Sequence, residues 1–114
     1  MKSVPFSIPN AHRGFSEMRG TVRLEDDDVV VEVQVKLFSL FERPPQTFRF
    51  DMTDLEEIRH TRRFWGDTVA LRTRPMERVT EIPGSSDGVL TLKVKRADRG
   101  DLDRFLDHLE LWVA

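Results

Sequence analysis

The chain has 114 residues, of which 39% are apolar and 33% charged, and its formal net charge is −2. This length and balance are typical of one globular domain. No apolar run approaches the roughly 20 residues of a membrane span, and the N-terminus lacks the apolar core of a signal peptide. With no cysteine, disulfides and thiolate chemistry are excluded. We expect a cytoplasmic protein without a transmembrane segment, and the acidic net charge argues against nucleic acid as a partner.

The N-terminal residues show little periodicity. Residues 1–17 contain Pro5 and Pro9, which interrupt regular hydrogen bonding. We therefore predict an extended N-terminal arm over residues 1–17 and a single domain over residues 18–114.

The middle of the chain alternates apolar and polar residues, which is the pattern of half-buried strands. The clearest strand covers residues 29–37 and forms a hairpin with residues 20–25, through an acidic turn at residues 25–28. Five further strands are predicted at residues 48–52, 55–63, 69–73, 78–82 and 90–95.

The C-terminal segment changes period. Apolar residues recur at steps of three and four, which gives one apolar stripe on a helix: Leu102, Phe105, Leu106, Leu109 and Trp112. With no crossover helices between the strands, a parallel sheet is excluded. The predicted fold class is mainly β (α+β): a seven-stranded, bent antiparallel sheet or partly open barrel, capped by one C-terminal helix.

This order of elements resembles the pleckstrin-homology (PH) superfold, and small bacterial PH-like domains above all. The resemblance covers residues 20–114 and rests on a corner and strand at 53–59, a turn and strand at 66–74, a loop at 82–84 and a strand-to-helix passage at 92–99. It implies a non-enzymatic binding module. Phosphoinositide-binding PH domains carry lysine and arginine in the first hairpin loop, whereas this loop is acidic, which argues against anionic lipid there.

Arginines on the sheet form the first candidate site. With Ile58 and His60 facing inward, we expect Arg59 to lie opposite Arg72 and Arg49 to lie beside Arg59. Like charges in one row are destabilising unless an anion lies between them, so Arg49, Arg59 and Arg72 are predicted to bind a phosphate or carboxylate. The alternative is that neighbouring acids neutralise the row: Asp51, Glu57 and Asp67.

Apolar residues in two loops form the second candidate. Phe38, Leu40 and Phe41 lie near one turn, and Phe64 and Trp65 lie in another, each beside arginines. Exposed aromatic tips next to arginine are typical of a partner interface or a membrane-dipping loop. The alternative is that these side chains fold inward, as most large apolar groups do.

No catalytic constellation is present. His12, His60 and His108 lie on three different predicted elements and have neither a paired base nor metal-ligand spacing. We predict no enzyme activity, no cofactor and no metal site. The predicted function is an interaction module that binds a protein partner or a second copy of itself as a homodimer. The alternatives are a binder of a small anionic ligand or lipid headgroup, and a structural homo-oligomerisation domain.

Overall fold

The structure is a computed structural model of the whole chain. The residues it describes are 3–8, 16–37, 41–42, 45–74, 79, 82, 85 and 88–110. They fold as a mainly β domain with one C-terminal helix, which confirms the predicted fold class.

Eight antiparallel strands make up the described sheet, and seven of them have five or more residues. The strands are β1 (Val4–Ile8), β2 (Ser16–Glu25), β3 (Asp28–Leu37), β4 (Phe41–Glu42), β5 (Gln46–Asp51), β6 (Leu55–Arg63), β7 (Gly66–Thr73) and β8 (Val89–Lys95). Short 3₁₀ turns at Met52–Asp54 and Arg96–Asp98 follow β5 and β8. The helix α1 (Arg99–Glu110) follows the second of these turns.

The strands form one open sheet. Its order is β4-β3-β2-β1-β8-β7-β6, and β5 pairs with the part of β3 that β4 leaves open. Because β1 lies between β2 and β8, it joins the hairpin at the start of the chain to the strands near its end.

The N-terminal prediction is therefore wrong for Val4–Ile8. This segment was expected to lie in an arm outside the domain, and it is instead a strand in the middle of the sheet. Val4, Phe6 and Ile8 are buried, so the strand alternates in the usual way. Proline has no backbone N–H to donate to a neighbouring strand. Pro5 is tolerated because β1 and β8 are paired only at Ser7 and Lys93, so few hydrogen bonds between these strands could be lost. Residues 9–15 of the predicted arm lie outside the described residues.

The predicted strand at residues 78–82 is also wrong where the structure describes it. Val79 has a helical conformation, and Ile82 lies in a bend. The backbone N–H of Ile82 donates to the Val79 carbonyl over 3.0 Å. Both side chains are buried, so apolar burial at this point does not require a strand. The other residues of that segment lie outside the described residues.

The C-terminal helix confirms its prediction. Leu102, Phe105, Leu106 and Leu109 are each at most 3% exposed, and the helix packs against β1 and β8. Trp112 lies outside the described residues. The helix and the inner face of the sheet share one hydrophobic core.

Candidate functional site

Two aromatic side chains project from the turn between β6 and β7. Phe64 is 77% exposed and Trp65 is 75% exposed, and within the described ranges they are the large hydrophobic side chains left open to solvent. Both side chains are exposed, as the hypothesis of an aromatic tip requires, and the alternative that these two residues fold inward is wrong. That they form an interface stays a prediction. We call Phe64 and Trp65 the aromatic turn.

Local geometry explains why the aromatic turn stays outside the core. Arg63 and Gly66 form the last pair of the hairpin, so only two residues connect the strands. A Cβ atom at Gly66 would lie 2.6 Å from the Val94 carbonyl oxygen, so β7 approaches β8 closely at this point. Residues 61–65 are all exposed, which shows that the end of the hairpin extends past the core.

Cations surround the aromatic turn. The Arg96 guanidinium lies 4.6 Å from the centre of the Phe64 ring, which is a cation–π geometry. Arg62, Arg63 and Lys95 are exposed, and Lys95 pairs with Gly66 at the base of the turn. The arrangement can therefore offer aromatic faces and positive charge to the same ligand.

The other residues of the second candidate set have a different outcome. Phe38 and Leu40 lie outside the described residues. The backbone of Phe41 lies in β4, opposite Leu37. The predicted apolar interface at Phe38, Leu40 and Phe41 thus stays a prediction.

A buried carboxylate lies directly below the aromatic turn. Asp67 is 2% exposed, and its two oxygens face three basic side chains. Arg99 Nε donates to Oδ1 over 2.8 Å, while His60 Nε2 and Arg62 Nε contact Oδ2 at 2.6 and 3.2 Å. Because Arg99 belongs to α1 and the other two belong to β6, Asp67 ties the helix to the hairpin.

Two further contacts extend this network. Arg62 forms an ion pair with Asp103 on α1, and Arg99 donates a hydrogen bond to the Arg63 carbonyl. The position of the hairpin, and with it the aromatic turn, is thereby fixed relative to the start of the helix.

The charges around Asp67 set its ionisation. Burial by itself raises the pKa of Asp67, but the hydrogen bonds from His60, Arg99 and Arg62 outweigh burial and hold the pKa below its usual value. Ligand atoms of His60, Asp67 and Asp103 lie within 4.8 Å of one another, which would suit a cation. Both Asp67 oxygens already accept bonds from positive groups, however, so this cluster acts as a structural link.

The predicted row of three arginines does not form. Ile58 pairs with Leu71 and His60 with Val69, as expected, but this register places Arg59 opposite Ala70. The same register places Glu57 opposite Arg72, and a bulge between Leu55 and Glu57 shifts Leu55 to pair with Thr73. The row prediction was wrong because pairing of Ile58 with Leu71 already fixes the partner of Arg59.

Arg49 lies on a different part of the sheet. Its strand, β5, pairs with β3, so Arg49 lies opposite Val30 and contacts Glu25 and Asp28 at 3.2 and 3.3 Å. The exposed turn at Asp26 and Asp27 connects these two acids, so the acidic turn binds an arginine of its own chain.

Arg59 and Arg72 nevertheless line one shallow depression of about 140 Å³, together with Glu57 and Ala70. Glu57 forms an ion pair with Arg59, and this hydrogen bond, with a further contribution from the charge of Arg72, lowers the pKa of Glu57. The predicted alternative, neutralisation by a neighbouring acid, is thus confirmed for Glu57 at Arg59. Asp67 instead binds Arg62 and Arg99.

Sequence reasoning missed the role of Asp67, although a signal was present. Asp67 alternates in step with Val69, Leu71 and Thr73 along β7, so the four lie on the same face of the strand, and all four side chains are buried. An acid on the inner face of a strand needs partners, and the nearby arginines of β6 and α1 provide them.

Comparisons with family models, curated proteins and solved structures found no match to this chain. None of the described helices has the length and apolar character that crossing a membrane requires.

Proposed function

We propose that this protein is a non-enzymatic, PH-like interaction module that binds a protein partner through the aromatic turn. The exposure of Phe64 and Trp65 carries the proposal. Burying each of these side chains is worth about 1.5–3 kcal/mol, so a fold that leaves both in water forgoes that stabilisation. Tryptophan and arginine are enriched among residues that dominate binding energies, and both occur here.

The surroundings of the aromatic turn support the same proposal. Asp67 and its basic partners hold the hairpin against α1, so the two aromatic rings are presented on a fixed support. A fixed support lowers the conformational entropy lost on binding. The exposed cations Arg63 and Lys95 favour a partner with acidic residues around an apolar pocket.

The PH-like assignment is part of the proposal. It is supported by a run of antiparallel strands followed by one C-terminal helix, although the seventh strand of five or more residues is β1 rather than the predicted strand at residues 78–82. A cytoplasmic location is also proposed, and a chain without cysteine is compatible with it.

A pulldown from lysate with crosslinking tests the proposal. We expect Phe64→Ser with Trp65→Ser to lose the proteins that the wild type retains, while the melting temperature stays the same because both side chains are exposed. The matched control is Arg59→Ala with Arg72→Ala, which alters two exposed residues on the same hairpin. Equal recovery with the aromatic double variant and the wild type would contradict the proposal.

A second candidate function is binding of a small anion or lipid headgroup by Arg59 and Arg72. The depression that they line favours it, but Glu57 lies in the same depression and already pairs with Arg59. We therefore rank it below the aromatic turn. Flotation with anionic liposomes that depended on Arg59 and Arg72 would reverse this order.

A further inference from the structure

A groove of about 430 Å³ crosses the outer face of the sheet, where β3, β2, β1 and β8 lie side by side. We call it the outer groove. The residues of β1 that line it from outside, Pro5 and Ser7, alternate with Val4, Phe6 and Ile8, which face the core. Its volume lies within the range of about 300–1,000 Å³ that is usual for small-molecule sites.

Strand register builds a row of donors across the groove. Ser7 pairs with Arg19 of β2 on one side and with Lys93 of β8 on the other, and Arg19 pairs with Gln34 of β3. Neighbouring strands are about 4.8 Å apart, so the backbones of Arg19 and Lys93 flank Ser7 at a separation of about 10 Å. A hydroxyl group thus lies between two positive side chains.

Lys95 continues the positive surface. It follows Lys93 by two residues on β8, so both side chains point to the same outer face, about 7 Å apart along the strand. Both are exposed, and within the described ranges neither forms an ion pair. Arg19 takes part in other polar contacts of the fold and adds its charge to the groove.

Two acidic residues, Glu32 and Asp98, also line the groove. Glu32 lines the groove one row away, but its carboxylate binds Arg23 over 2.7 Å. Asp98 lines the groove in the 3₁₀ turn that follows β8, beyond Lys95 in the chain. Pro5 and Pro45 add apolar surface. The groove therefore combines hydrogen-bond donors for an anion with an apolar surface for an organic group.

We propose that the outer groove binds a small phosphate ester, with the phosphate beside Ser7 between Arg19 and Lys93 and the organic part against Pro5. A phosphate presents three oxygens, and guanidinium, ammonium and hydroxyl groups each donate to such oxygens. The site uses neither Phe64 nor Trp65, although Lys95 borders both surfaces, so it goes beyond the proposed interaction function and stands without it.

A titration followed by amide NMR tests the site, with phenyl phosphate as the probe. We expect saturable shifts at Ser7, Arg19 and Lys93. Inorganic phosphate should shift the same amides more weakly because it lacks the organic group, and phenol should not saturate. Shifts centred on Arg59 and Arg72, or no saturation at millimolar phenyl phosphate, would overturn the proposal.

Charge variants make the assignment specific. Lys93→Gln with Lys95→Gln should weaken phenyl phosphate binding about tenfold or more, because charge-assisted donors are lost. Lys93→Arg with Lys95→Arg should retain binding. The control Arg59→Gln with Arg72→Gln removes the same charge elsewhere and should leave the affinity unchanged. If both glutamine double variants lost the same affinity for phenyl phosphate, binding would depend on net charge alone, and the proposed site would be overturned.

Two further experiments separate this site from the aromatic turn and from a lipid-binding surface. Phe64→Ser with Trp65→Ser should bind phenyl phosphate as the wild type does, whatever the pulldown of that variant shows. Vesicles containing phosphatidic acid test a lipid as the source of the phosphate. We expect no flotation of the protein with them, and flotation that depends on Lys93 would overturn the assignment to a soluble ester.

Discussion

Gly20 in β2 occupies a position that accepts no side chain. A Cβ atom there would lie 2.0 Å from the Glu32 carbonyl oxygen and 2.9 Å from the Phe6 ring. The carbonyl belongs to the paired strand and cannot move without breaking the ladder. We expect Gly20→Ala to lower the free energy of unfolding by about 2 kcal/mol or more, measured by urea denaturation.

Gly100 in the first turn of α1 provides the matched control. Apart from its chain neighbours and the backbone of its own helix, nothing lies within 4 Å of a Cβ placed there. Alanine has the higher helix propensity, so Gly100→Ala should stabilise the protein by about 0.5 kcal/mol. If both alanine variants had the same stability, the close approach of β2 and β3 at Gly20 would be contradicted.

Asp67 gives the protein a defined dependence on pH. Its folded-state pKa lies below its usual value, so its contribution to stability is fully present above the unfolded-state pKa of about 3.9. That contribution is lost as the pH falls through the lower folded-state pKa. We expect Asp67→Asn to cost about 2 kcal/mol at neutral pH, because Arg99 and Arg62 lose a charged partner.

Urea midpoints at a series of pH values check this prediction. The difference between wild type and Asp67→Asn should stay constant down to about pH 4 and shrink below it. Glu57→Gln, on the exposed side of the same hairpin, is the control and should have a small effect. A difference that grew as the pH fell would contradict the assigned direction of the Asp67 pKa.

The pairing of individual residues across adjacent strands was the hardest feature to predict. Alternation correctly indicates that Leu71 and Val69 face inward. It does not say which outward residues lie side by side, because that depends on the register and on bulges. The bulge between Leu55 and Glu57 changes the partner of Leu55, which pairs with Thr73, and no residue pattern in β6 marks it. The Arg59–Arg72 hypothesis failed although Ile58 does pair with Leu71, because that register places Ala70 opposite Arg59 and Glu57 opposite Arg72.

At the scale of elements, the helix α1 closes the core. Leu106 is 3% exposed, and the apolar stripe of the helix packs on β1 and β8. We expect Leu106→Asp to abolish the cooperative thermal transition, because an unpaired carboxylate would be buried in that contact. Circular dichroism during heating is the measurement.

The matched control for this helix variant is Arg104→Ala. Arg104 lies on the exposed side of α1 and pairs with Asp101 over 3.5 Å. Losing an exposed pair of this kind should change the free energy of unfolding by less than about 1 kcal/mol. A thermal transition of Leu106→Asp close to that of the wild type would contradict the packing of the helix on the sheet.

Elements with a strong period were predictable, and elements whose burial depends on distant partners were not. Residues 29–37 and the helix stripe carry their periods over several turns or pleats. The bounds predicted for β6 match the observed Leu55–Arg63. In β1, alternation of Val4, Phe6 and Ile8 was present, but Pro5 and the short length concealed it. Only pairing with β2 and β8 makes that segment a strand.

At the scale of the whole molecule, the sheet ends in the charged strand β6. Within the described residues β6 pairs with β7 alone, so its other edge is open. An antiparallel pairing of two β6 strands centred on Thr61 would place Arg59 of one copy opposite Arg63 of the other, which is repulsive. Charges on an edge strand discourage self-pairing.

We therefore expect the protein to sediment as a monomer. Sedimentation velocity at two concentrations checks this, and the same coefficient should be found at both. Arg59→Thr with Arg63→Thr, which removes the repulsion, should show more self-association than the wild type. A wild-type dimer would favour the homo-oligomerisation alternative over a separate protein partner.

The open position of the aromatic turn is the central claim, and Trp65 reports on it directly. Trp112→Phe leaves Trp65 as the one tryptophan of the chain. In this variant we predict a red-shifted, water-like fluorescence emission that iodide quenches strongly, since Trp65 is 75% exposed. A blue-shifted emission that iodide does not quench, in a folded protein, would contradict the exposed turn and the binding surface proposed on it.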